Sequence, residues 1–144
     1  MHIYYKNNLP DLFDEMIKLP TCEKKTKAYI ISIFSDINNN KDLSKDSITL
    51  LYNKALESYS FSIFQNIGDW LFFTKSMFPK SLKNASIEYY NAIASSSYYK
   101  CYIIMNRQWL IFEELADQFN SFTKMVNESL RNSSKDRFSF YRLL

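Results

Sequence analysis

Apolar residues recur along this chain at intervals of three and four, the spacing that gathers them on one side of an α-helix. The stripe is cleanest near the end. There Phe112, Leu115, Phe119, Phe122 and Val126 alternate with Glu113, Glu114, Asp117, Asn120, Lys124 and Glu128, which predicts a helix over about 108–132 with one dry and one wet side. Phe64, Ile67, Leu71, Thr74 and Phe78 repeat at the 3-4-3-4 period of helical bundles. Pro79 should stop that helix, and a bend is expected within 58–66, because an earlier stripe of Ile48, Leu51, Tyr52, Ala55 and Tyr59 opens at Ser44 or Asp46. A further helix is expected from Ser86 to Met105, with Asn106 interrupting it.

Toward the start, Leu12, Phe13, Met16 and Ile17 form the apolar side of a short helix from Asp11 to Leu19, with Asp11 as cap and Pro20 as stop. The next helix begins near Thr21 or Glu23 and runs to Ile37, and its second half is apolar on most sides, as in a central buried helix. Tyr29–Phe34 also fits a strand, since Ile and Tyr favour sheets, but no second run of that kind exists to pair with it. The pattern therefore predicts an all-α chain: one compact bundle of five or six helices over residues 1–132, followed by a tail over 133–144.

Composition sharpens this picture. At 144 residues the chain has the length of one domain, and its 47% hydrophobic and 23% charged residues are ordinary for a folded protein. Glycine is not ordinary. Average usage would give about ten, whereas Gly68 is the only one, with three prolines. Hairpins and phosphate-cradling loops need residues at positive φ, so this scarcity again favours helices. The net charge of +3 falls wholly in the segment after residue 130, where Arg131, Lys135, Arg137 and Arg142 face Asp136 alone. A domain that tracks nucleic acid would carry a broader basic face. The first residues lack the apolar core of a secretion signal, and no window approaches the roughly 18 apolar residues of a membrane span. With Cys22 and Cys101 far apart and outside any CxxC pair, reduced thiols and a cytoplasmic location are expected.

Four segments follow one another in a suggestive order: Thr26–Phe34, Ile67-Gly-Asp-Trp-Leu-Phe-Phe73 running to Met77-Phe-Pro79, Ile87-Glu-Tyr-Tyr90, and Phe112-Glu-Glu-Leu-Ala-Asp-Gln-Phe119. Over most of its length the chain resembles a family of small all-helical bacterial proteins of uncharacterised function. That family's pattern reads GD…LF…G-FP, then YY…G-AY, then LF-ELA-F. Here Lys75 or Ser76 stands in place of the glycine before Phe78-Pro79, and Ala94 or Ser95 in place of the one after Tyr89-Tyr90. The resemblance implies a bacterial, cytosolic, all-α protein and brings no activity with it.

Chemistry is sparse. His2 is the sole histidine, so catalytic triads and zinc sites have little to draw on. No glycine-rich phosphate loop occurs, and the expectation is a non-enzyme without metal or cofactor. Asp69, flanked by Ile67, Trp70, Leu71 and Phe72, stands out, because a carboxylate among apolar residues must find partners. An interhelical contact with Tyr89 or Tyr90 is expected, ahead of a general-base role. The small residues Ala94–Ser97 suggest close helix packing, with hydroxyls bonding back to their own helix, and Glu113-Glu114 read as a solvated face. In the tail, Arg137, Phe138, Phe140, Tyr141 and Arg142 mix charge with aromatic rings and form a candidate partner-binding segment. The expected function is a non-enzymatic protein–protein interaction module with self-association as one form it can take. Nucleic-acid binding through the tail, or a small-molecule or lipid pocket among the tyrosines, are the alternatives.

Overall fold

The computed structural model describes residues 10–35 and 45–136. Six α-helices and no strand appear among them: α1 over 10–16, α2 (Lys24–Ser35), α3 (Lys45–Ser58), α4 (Phe61–Met77), α5 (Ile87–Ile104) and α6 (Leu110–Asp136), with one 3-10 turn at Pro79–Ser81. The segment 29–34, for which a strand was the competing reading, lies within α2.

Local chemistry sets the ends. Ser60 caps α4 by accepting the Ile63 amide at 3.3 Å, and Ser86 caps α5 by accepting the Tyr89 amide at 3.1 Å, each satisfying a donor with no partner inside the helix. The expected bend between α3 and α4 falls at Tyr59, which turns to φ 52°. Pro79 follows directly on the last turn of α4. The α5–α6 turn carries Asn106 and Arg107 in succession at φ 58° and 60°, so the interruption predicted at Asn106 is a left-handed two-residue reversal.

The last helix differs from its sequence reading in two ways. It runs to Asp136, past the point where the tail was expected to begin, and it is kinked at Gln118 (φ −111°, ψ 15°). One turn later the Thr123 hydroxyl donates to the carbonyls of Phe119 at 2.9 Å and Asn120 at 3.1 Å, the back-bonding that bends helices.

The core is a chain of rings. Phe13 of α1 meets Phe34 of α2, Phe34 meets Phe72 of α4, and Phe72 meets Phe119 of α6, which in turn touches Tyr98 of α5, all with centroids between 5.8 and 6.4 Å. Around them Ile17, Ile30, Ile67, Leu71, Leu115 and Val126 are fully buried. Helices α4, α5 and α6 pack most extensively on one another, whereas α3 leans on α4. Its polar ties run to α5: Thr49 Oγ1 lies 2.6 Å from the Tyr89 hydroxyl, and Tyr52 bonds Ser96. No helix among the described residues is long and apolar enough to cross a membrane.

Candidate functional site

Three places gather the polar chemistry of the bundle. The first is Asp69, in the third turn of α4. The Tyr29 hydroxyl of α2 lies 2.8 Å from both of its carboxylate oxygens, and the Tyr98 hydroxyl of α5 donates to Oδ1 at 2.8 Å. Gln65, one turn earlier on α4, donates its amide to Tyr29 at 2.9 Å. An interhelical contact of Asp69 with tyrosine therefore exists, but through Tyr29 and Tyr98. Of the two tyrosines expected, Tyr89 faces Thr49, and Tyr90 is buried elsewhere along α5.

Gly68 makes the arrangement possible. The Tyr98 ring packs closely against α4 at Gly68, where a Cβ would sit 2.8 Å from its Cε1 and Cζ. Tyr98 is fully buried, and this close approach brings its hydroxyl to the residue next along the chain. Burial pushes the Asp69 carboxyl up from 3.8 to about 6, while the Tyr98 and Tyr29 hydrogen bonds pull it back down. Burial, reinforced by the charge on Asp69, also keeps Tyr29 and Tyr98 protonated well beyond the ordinary tyrosine range and lifts the Cys101 thiol to about 12. A carboxylate already holding two hydroxyls, among neighbours that keep their protons, is suited to binding one proton and tying α2, α4 and α5 together. It presents no activated nucleophile.

The second place is Lys75, which entered the sequence reading only as an occupant of an expected glycine position. The residue is 6% exposed. Its ammonium donates to Asn91 Oδ1 of α5 at 2.8 Å and to Asn120 Oδ1 of α6 at 2.6 Å, and lies 5.3 Å from the centre of the Phe119 ring. No carboxylate pairs with it among the described residues, in contrast to Lys27, which pairs with Asp14. Burial, with repulsion from Lys124, lowers it to about 8. The available signal was a lysine only three residues from Phe72 and Phe78, inside the otherwise buried stripe of α4.

The third is an open groove of about 1540 Å³ between the start of α2 and the first turns of α6. Glu23, Lys24 and Lys25 stand on one wall, Glu113, Glu114 and Asp117 on the other, with Trp109 and Leu110 at the α6 end. Trp109 is 49% and Leu110 64% exposed. The Trp109 ring stacks on Phe112 with centroids 6.0 Å apart and planes 7° from parallel. Glu114 corrects the expectation of a uniformly solvated face. Its Oε2 accepts the Glu23 amide at the start of α2 (3.3 Å), and its Oε1 is buried without a partner among the described residues. Glu114 also helps burial lift the Cys22 thiol to about 12.

The small-residue segment of α5 packs as expected: Ala94, Ser97 and Cys101 are fully buried. The hydroxyls do not all bond back to their own helix, since Ser96 reaches Tyr52 and Ser97 has no partner among the described residues. Both cysteines are free thiols. No cluster of three metal-ligating side chains occurs among the described residues. His2 and the tail residues Arg137, Phe138, Phe140, Tyr141 and Arg142 lie outside the described residues. Comparison of the chain with protein-family profiles, with curated proteins and with solved structures returns no match.

Proposed function

We propose that this chain is a non-enzymatic protein-interaction module that seats another polypeptide in the groove between α2 and α6. The observation that carries the reading is the exposure of Trp109 and Leu110 beside a cleft lined by charges of both signs. Trp is enriched at binding hot spots, where one face is held rigidly and the other is offered to a partner. Trp109 has that form, with one face stacked on Phe112. The other polar centres favour the same reading: the hydroxyls around Asp69 are taken up by its carboxylate and the amide oxygens around Lys75 by its ammonium. A cytoplasmic, bacterial setting belongs to this proposal too, resting on the sequence resemblance and the free thiols.

A photo-crosslinking residue placed at Leu110 tests it in the cell of origin. The expected result is a covalent adduct with one discrete polypeptide, abolished by Trp109→Ala. Diffuse labelling, or an adduct indifferent to Trp109→Ala, overturns the reading.

A further inference from the structure

We infer that the occupant of the groove is a second copy of this chain, docked about a two-fold axis that runs along the groove and sets the Lys24/Lys25 wall of each copy against the Glu113/Asp117 wall of the other. The inference rests on the interaction reading above and supplies its partner.

The charge pattern is what selects this occupant. The α2 wall is net positive, with Lys24 and Lys25 beside Glu23, and the α6 wall is acidic, so the cleft is complementary to itself: rotation by half a turn about its long axis places positive over negative on both sides at once. Lys24, Lys25 and Asp117 are exposed on those walls, free to face a neighbour. The lysines also sit where the fold alone would not favour them. They occupy the first turn of α2, directly after Glu23 and near the Glu114 carboxylate, and positive charge there opposes the helix dipole. A residue that breaks a local rule points to a role outside its own element. Between the walls, the same rotation brings Trp109 and Leu110 of each copy toward the shared axis, covering apolar area that each leaves in water when alone.

The experiment is multi-angle light scattering across a concentration series on the full chain and on two charge-swapped variants, Lys24→Glu/Lys25→Glu and Glu113→Lys/Asp117→Lys. The wild type is expected to dimerise, and each variant alone to dimerise at least about tenfold more weakly, as suits loss of several interfacial charge pairs. An equimolar mixture of the two variants is expected to regain the dimer, because each swapped wall then meets its opposite. Melting curves of the variants separate loss of association from loss of fold, and the single substitution Asp117→Lys, at an exposed position, replaces its double variant if that one does not fold. A wild type monomeric at every concentration overturns the inference, as does a dimer insensitive to both swaps or a mixture that stays monomeric. An adduct from position 110 to a different polypeptide, with a monomeric wild type, leaves the interaction reading standing and removes only the second copy.

Discussion

Asp69 and Lys75 titrate in opposite senses, and each gives stability its own pH dependence. The Asp69 carboxyl rises from 3.8 to about 6 on folding, so the folded chain binds the proton more tightly than the unfolded one. Its contribution is greatest below about pH 4 and is lost as pH climbs through 6. Urea unfolding of Asp69→Asn should show that this slope between pH 4 and 6 has disappeared. Asp69→Ala, which strands two tyrosine hydroxyls, should lose about 2–6 kcal/mol at pH 5, each orphaned group costing about 1–3. Lys75 falls from 10.5 to about 8, so the folded chain sheds its proton first. The stability it contributes is therefore present at high pH and lost as pH falls through 8. Lys75→Met should accordingly gain more over the wild type at pH 7 than at pH 10, measured by the same unfolding curves. At Gly68 two effects of known size compete. Alanine adds about 0.5–1 kcal/mol of helix stability, but its Cβ would meet the Tyr98 ring at 2.8 Å. Overpacking of about 1–3 kcal/mol wins. Gly68→Ala should destabilise, and combining it with Tyr98→Leu should cost less than the sum of the two.

At the scale of the element, the helices were legible in the order of residues because burial on one side leaves a periodic mark. Pro79, Ser86 and Asn106 then placed ends within a residue or two, whereas the bend expected over 58–66 left the Ser60 cap unassigned. Partnerships between helices leave no such mark. Tyr29 and Tyr98 lie 40 and 29 residues from Asp69, and nothing in a single sequence distinguishes them from Tyr89 and Tyr90, which are nearer. The contact's existence followed from the cost of an isolated carboxylate, and its geometry followed from where α2 and α5 happen to cross α4. The groove was invisible for a similar reason, since Lys24 and Glu113 belong to helices far apart in the chain. Glu114 read as solvent-facing because its neighbours do, whereas the start of α2 recruits it. At the α5–α6 turn, Arg107 holds φ 60° with a side chain that disfavours it. Arg107→Gly should raise stability by about 0.5–1 kcal/mol, the left-handed penalty less the entropy of glycine, seen as a higher melting temperature.

Over the whole molecule, cohesion is uneven. The three longest helices share most of the interior, while α3 contributes Ile48 and Ala55 to it and leaves Leu50 69% exposed. Amide exchange should be slowest in α4 and α5 and fastest in α3, which can open while the rest persists. Equal protection across all of them would mean that α3 is held by more than Thr49, Tyr52 and its short apolar stripe.

Phe112 borders two of the three polar places at once. One side of its ring carries Trp109 at the groove, and Tyr29 and Tyr98 lie 5.6 and 6.2 Å from it at the carboxylate. The indole is thereby an optical gauge for a proton several side chains away. In a Trp70→Phe background, emission from Trp109 should titrate with a midpoint near 6. Because any such linkage runs in both directions, filling the cleft should displace that midpoint, so a fluorimeter alone could register arrival of a guest.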